Sequence, residues 1–165
     1  MFRSSLLPAL LLLAAGCIAA DAAEEPFWVE KRLEHGPPMR DLMHAAQLAM
    51  MRADFPPGET DSVGGVATSG WDVHLSPYSE RGYRSQAVVE IERLDEPRSY
   101  LLRVRVRTQV NTEKHKTLDP AAADWEDRLE DPERARVVMQ QLLIQVAPRS
   151  GRGGRVQSDQ AKEPR

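Results

Sequence analysis

Three arginines at alternate positions are the residues of this chain whose type and spacing could bind a ligand. In the segment "YLLRVRVRTQV", residues 100–110, Arg103, Arg105 and Arg107 alternate with leucine and valine. Successive side chains of a β-strand point to opposite faces of the sheet, so the three guanidinium groups would lie in one row. Such a row could bind an anionic polymer or lipid.

The preceding segment offers these arginines a second role. "SQAVVEIERL" predicts a strand with Glu90 and Glu92 on one face, and a hairpin with its apex at Glu96-Pro97 places Glu90 opposite Arg103. A register shifted by two residues would pair Glu92 with Arg103 instead. Opposite charges across strands contribute roughly 0.2–1 kcal/mol per pair, and one face of an antiparallel sheet is commonly solvated. We therefore favour a cross-strand charge ladder and keep the anion site as the alternative.

The apolar pattern predicts the elements that would position this row. Apolar residues at helical spacing indicate a helix over residues 39–54 and a second helix that begins at Asp131-Pro132. Residues 61–75 read as a strand whose register changes at Gly70, and residues 111–131 read as a long connection. The predicted fold class is α+β: a helix, a three-stranded antiparallel sheet and a C-terminal helix, with both helices on one face of the sheet.

No other group of residues predicts a reaction. None of the histidines is spaced with other ligand residues as a metal site requires, and no serine lies in a nucleophile elbow. The chain has a net charge of −3, whereas nucleic-acid binders are usually basic. We predict no enzyme, no catalytic residue, no metal, no cofactor, no nucleic-acid partner and no small-molecule substrate. The histidines are His35, His44, His74 and His115.

The first 25 residues predict export. Arg3 precedes an apolar run over residues 6–15, and small residues follow it. The run is too short to span a bilayer as a helix and has the order of regions of a signal peptide.

The end of this apolar run, "LLAAGC", resembles the lipobox of bacterial lipoproteins. The resemblance covers only residues 1–17, and it implies that the chain is cut after Gly16 and that Cys17 carries the lipid. Ala14 departs from the motif, which prefers leucine three places before the cysteine, and the leucine stands one place further back at Leu13. Cys17 is the only cysteine, so no internal disulfide can form, and a lipid role accounts for it.

A plain secretory cleavage is the alternative. Ala20 and Ala22 form an A-x-A arrangement, and a cut after Ala22 would discard Cys17. Both interpretations export the chain. We expect a lipid anchor on a membrane facing the periplasm or cell envelope, the outer rather than the inner membrane.

These segments predict four parts of the chain. Residues 1–16 form a lipoprotein signal peptide, residues 17–38 a tether, residues 39–147 a single α+β domain and residues 148–165 a disordered basic tail. On the second helix, Val137 and Ile144 lie outside the apolar stripe. They could form an edge of the core or a small surface patch that contacts a partner.

The predicted layout, with Asp61, Gly65 and Trp71 at the start of the sheet, resembles small envelope-assembly lipoproteins of the BamC and LptE types. The resemblance implies a non-enzymatic, membrane-tethered module that helps to assemble or stabilise a larger envelope structure through a protein partner. The alternative function is binding of anionic envelope polymer or lipid through Arg103, Arg105, Arg107 and the basic tail.

Overall fold

The structure is a computed structural model that describes residues 26–147, and it has an α+β architecture with two helices and one antiparallel sheet. The elements in chain order are β1 (Val29–Leu33), α1 (Met39–Arg52), β2 (Glu59–Asp61), β3 (Val66–Thr68), β4 (Asp72–His74), β5 (Tyr83–Arg93), β6 (Tyr100–Asn111), β7 (Trp125–Arg128) and α2 (Pro132–Val146).

A long hairpin of β5 and β6 forms the centre of the sheet. Its register places Glu90 opposite Arg103 and Ile91 opposite Leu102, as the sequence predicted for a turn at Glu96-Pro97. Arg98, which follows that turn, has a φ of 60°, a conformation that helps to reverse the chain. The hairpin therefore has the first of the two registers that the sequence allowed.

The sheet has seven strands, so the predicted three-stranded sheet was too small. The outer edge of β5 pairs with β3 and β4, the outer edge of β6 pairs with β1 and β7, and β2 pairs with β3. The additional strands have three to five residues. Strands this short are largely exposed at the sheet edge and lack the long alternation that identifies β5 and β6 in the sequence.

A bulge divides the strand that the sequence predicted over residues 61–75. Thr68 lies opposite Val88 and Asp72 lies opposite Ser85, so residues 69–71 stand opposite only residues 86–87. This extra residue is a β-bulge, and it separates β3 from β4 at the Gly70 position where the sequence predicted a change of register.

The predicted tether, residues 17–38, differs from the structure in its second half. Residues 29–33 form β1, in which Val29 and Leu33 pack against the core while the residues between them are exposed. After β1, the N–H of Gly36 donates to the carbonyl of Arg98 at 2.9 Å. The folded domain therefore begins at β1, ten residues earlier than the predicted position 39.

The segment predicted as a connection, residues 111–131, contains β7. Trp125 is half-buried and the other three residues of this strand are exposed, so its polar sequence "WEDR" carries no alternating apolar signal. The helix after it begins as predicted, because the Asp131 carboxylate accepts from the N–H groups of Glu133 and Arg134 at 3.1 and 3.0 Å. This side-chain cap satisfies two of the free amides at the helix start.

The two helices share one face of the sheet. Their apolar stripes join the apolar positions of β5 and β6 in a single buried cluster, as the sequence predicted. Val137 and Ile144 lie outside it, with 46% and 55% of their surface exposed. The centre of the cluster consists of Leu42, Met43, Ala46 and Ala49 of α1, Ala135, Val138, Met139 and Leu142 of α2, and Ala87, Val89, Ile91, Leu102, Val104 and Val106 of the sheet.

Candidate functional site

The three alternating arginines lie on the face of the sheet that the helices leave free. The valines and the leucine between them on β6 are fully buried, whereas Arg103, Arg105 and Arg107 are half-buried. Their alternation therefore divides core from polar face as the sequence predicted. Because the guanidinium groups are half-buried, other side chains must cover part of each one. The identity of those side chains determines whether a ligand could reach the arginine row.

Arg103 is paired with acids from both neighbouring strands. Its Nε donates to Glu30 Oε1 of β1 at 3.0 Å, and its NH1 lies 3.6 Å from Glu92 Oε2 of β5. Glu90 stands directly opposite Arg103 in the register, yet no ion pair joins these two side chains. Of the cross-strand pairs predicted within the hairpin, only Glu92–Arg103 is present, and the acid closest to Arg103 is Glu30 of β1.

The other two arginines pair with one acid that follows β7 and one that lies within it. Arg105 NH1 lies 3.6 Å from Glu130 Oε1, and Arg107 NH2 lies 3.8 Å from Asp127 Oδ1. Each arginine of the row therefore has a carboxylate within 4.0 Å. The sequence did not indicate these partners, because the segment that carries them was predicted as an irregular connection.

Tryptophans cover the same face of the sheet. Trp28 stacks on Arg105 with 4.6 Å between the guanidinium carbon and the ring centre. Trp71 and Trp125 lie 4.3 and 4.6 Å from the guanidinium carbon of Arg84 on β5. All three tryptophans of the chain thus pack on arginines here, and we call these five residues the tryptophan–arginine array. Each such contact contributes about 0.5–2 kcal/mol, depending on how dry it is.

Arg84 joins three strands of this face. Its Nε donates to Gln109 Oε1 at 2.7 Å, and Gln109 Nε2 donates to Asp127 Oδ1 at 2.8 Å. Burial, followed by the nearby charge of Arg107, lowers the pKa of Arg84. The guanidinium remains protonated at any physiological pH, so this network acts as a structural link between β5, β6 and β7. Through Trp71 it also contacts the bulge that precedes β4.

An open groove of about 1000 Å³ lies beside Arg105 and Arg107. The groove lies along the outer edge of β6 at residues 105–107. These residues pair neither with β1, whose pairing stops at Val104, nor with β7, whose pairing starts at Thr108. The groove lining includes Pro26 and Phe27, which precede β1, and residues 127–130, from the end of β7 and the segment after it. The segment leading into α2 crosses this stretch, where the N–H of Asp131 donates to the carbonyl of Val106 at 3.0 Å.

The groove has apolar residues at its borders and an ion pair inside it. Phe27 is 47% exposed and Leu129 is 75% exposed. Arg105 Nε and Glu130 Oε2 are buried and form no hydrogen bond with the part of the chain that the structure describes. The ion pair and the apolar side chains give this groove the character of a contact surface.

A second polar cluster ties β4 to α2. His74 Nε2 lies 3.0 Å from Asp72 Oδ1, and its ring stacks on Tyr83. Asp72 Oδ2 accepts from Arg134 of the first turn of α2 at 3.0 Å. Both oxygens of Asp72 are thus engaged in holding the helix start against the sheet, which is a structural role.

Within residues 26–147, no group of three or more histidine, cysteine, aspartate or glutamate residues could hold a metal ion. No helix among the same residues is long and apolar enough to cross a membrane. The predicted cleavage after Gly16, the lipidation of Cys17 and the basic tail of residues 148–165 lie outside the described residues and stay predictions.

The comparisons with known proteins assign no family to this chain. A scan against models of known protein families and a search of curated proteins both found no match. The function must therefore be inferred from the chain's own side chains and their contacts.

Proposed function

We propose that the protein is a lipid-anchored, non-catalytic module of the bacterial cell envelope that acts through contact with an envelope protein partner. Two features support this proposal. The N-terminal sequence "LLAAGC" resembles a lipobox and provides Cys17 as the anchor. The polar face of the sheet carries a row of charges that are already paired with each other, as in a structural surface.

The ion pairs of the arginines are the observation that distinguishes contact with a protein partner from binding of an anionic polymer. Arg103, Arg105 and Arg107 each have a carboxylate partner at 3.0, 3.6 and 3.8 Å respectively. An anionic polymer would have to displace these carboxylates and leave them without a cation. For Glu130, whose side chain is only 18% exposed, loss of the cation would leave a largely buried carboxylate unpaired, which is unfavourable. The pairing at Arg105 therefore argues against polyanion binding and supports protein contact.

Binding of anionic polymer or lipid remains the second candidate, because two cations near the groove are held loosely. Arg107 lies 3.8 Å from Asp127, the longest of the three pairs in the row. Arg128 is exposed beside it. Together with the arginines of the basic tail, these residues would give binding that falls as salt screens the charges.

Salt dependence separates the two candidates in one experiment. The tagged full-length protein is purified from detergent-solubilised membranes at low and at high salt, and co-purifying proteins are identified. The proposed function expects a partner protein that remains bound at high salt. Retention of the protein on lipopolysaccharide or cell-wall resin that disappears at high salt, with no protein partner, would favour the second candidate. The Cys17→Ser variant is the control for contacts that require the anchor.

A further inference from the structure

We propose that the groove beside Arg105 and Arg107 faces the membrane that holds the lipid anchor, and that Phe27 and Leu129 contact the lipid interface there. This inference rests on the proposed function, because it requires the anchor at Cys17. It adds the orientation of the domain and the surface that touches the bilayer.

The length of chain between the anchor and the fold limits how the domain can sit. Pro26, which lines the groove, lies nine residues after Cys17 (26 − 17). A fully extended chain spans at most about 3.3–3.6 Å per residue, so the groove stays within about 30 Å of the anchor. A domain of this size has a radius of gyration of about 14 Å. Its diameter is therefore about as large as the full length of the extended tether. The tether is therefore too short to let the groove lie on the side of the domain farthest from the membrane, and it favours an orientation with the groove on the membrane side.

The residues that border the groove suit a lipid interface. Phe27 and Leu129 are largely exposed, and they come from the two chain segments that flank the gap on β6. Arg107 and Arg128 lie next to them. Aromatic and leucine side chains that enter the headgroup region, flanked by arginines whose charged ends stay in water, are typical of proteins that lie on a membrane.

The acidic residues of the groove determine whether electrostatic attraction or apolar contact would hold this surface on the membrane. Asp127 and Glu130 pair with Arg107 and Arg105, so the groove carries little free positive charge. Attraction to anionic lipid should therefore be weak, and the apolar side chains should carry the contact. We expect contact with zwitterionic lipid and little dependence on salt.

The test uses the mature chain, residues 17–165, with its only cysteine coupled to a maleimide phospholipid. The anchored protein is placed on phosphatidylcholine vesicles with or without brominated acyl chains, and tryptophan emission is recorded. Bromine quenches only tryptophans close to the acyl chains, and Trp28 directly follows Phe27. We expect quenching of the unsubstituted protein, loss of that quenching in Phe27→Ser/Leu129→Ser, and full retention in Val137→Ser/Ile144→Ser.

The Val137 and Ile144 pair is the matched control, because it removes two exposed apolar side chains from α2 at 46% and 55% exposure. Unquenched emission from the unsubstituted protein would overturn the proposal, as would quenching that survives Phe27→Ser/Leu129→Ser or disappears at high salt. Both double variants should unfold at the temperature of the unsubstituted protein, which verifies folding. Because the anchor is attached chemically, these outcomes concern the surface alone, and mass spectrometry of Cys17 from cells tests the proposed function separately.

Discussion

Arg103 forms its shortest ion pair with Glu30 on β1, and none with Glu90, the residue directly opposite on β5. The two paired residues are 73 positions apart in the chain, with Nε and Oε1 at 3.0 Å. The pair therefore ties the first strand of the domain to the central hairpin. Glu92, at 3.6 Å on the other side, completes a row of alternating charge across three strands.

A double-mutant cycle should detect this pair. Because both side chains are partly exposed, we expect a coupling free energy of roughly 0.2–1 kcal/mol between Glu30→Gln and Arg103→Gln. The measurement is the free energy of unfolding in urea for the two single variants and the double variant. The cycle of Glu90→Gln with Arg103→Gln is the control and should give a smaller coupling. A larger coupling for Glu90 than for Glu30 would contradict the observed pairing.

The face of α2 gives a second prediction. Leu142 is fully buried, whereas Ile144 on the same helix is 55% exposed. Leu142→Ala should lower the free energy of unfolding by about 2–5 kcal/mol, because it leaves a cavity in the core. Ile144→Ala should cost less than about 1 kcal/mol. Equal losses in urea unfolding would mean that the helix packs by another face.

The elements that the sequence predicted are those with long regular patterns. The helices show apolar stripes over four turns, and β5 and β6, with eleven and twelve residues, alternate over much of their length. β1, β2 and β7 escaped prediction because a strand of three to five residues at a sheet edge buries too little to impose a pattern. Tertiary pairing of β1 and β7 with β6, and of β2 with β3, rather than local propensity, makes these segments strands.

In the candidate site too, the sequence predicted the feature that follows a regular local pattern and missed the contacts between distant segments. The arginine row follows from alternation within one strand, so the sequence gives its position and face. Its partners Glu30 and Glu130 come from distant segments, and no local signal links them to β6. The three tryptophans are isolated in the sequence, and only the sheet register brings them onto Arg84 and Arg105.

Arg84 should be important for stability because its guanidinium contacts Trp71 and Trp125 and its Nε binds Gln109. Loss of two cation–π contacts and one hydrogen bond predicts that Arg84→Ala lowers the free energy of unfolding by about 1–3 kcal/mol. Native tryptophan emission should change as well. Arg81→Ala is the control, since Arg81 is exposed and lies over the exposed ring of Tyr78 at 5.4 Å. Equal effects of the two substitutions would argue against a structural role of the array.

The pair of Arg32 and Glu96 predicts a pH dependence. The hydrogen bond from Arg32, followed by its charge, lowers the pKa of Glu96 below its ordinary value of 4.5. A lowered pKa in the folded state means that the stabilisation is present above the unfolded value and is lost as pH falls through the folded value. The stability difference between the unsubstituted protein and Arg32→Gln should therefore shrink as the pH falls below about 4.5. Urea unfolding at pH 3 to 7 measures it. A difference that grows toward acid would contradict the pairing.

The anchor gives the last prediction, because the two cleavage interpretations differ in the mature N-terminus. If the lipobox resemblance holds, the mature chain begins at Cys17 and carries lipid, and Cys17→Ser leaves the protein unprocessed or releases it from the membrane fraction. Ala22→Leu is the matched control: it alters the A-x-A arrangement at Ala20 and Ala22 and should leave the lipidated product unchanged. Mass spectrometry of the N-terminal peptide from isolated membranes measures both variants. An unmodified N-terminus at Ala23 in the unsubstituted protein would establish plain secretory cleavage, and it would remove the anchor on which the membrane orientation depends.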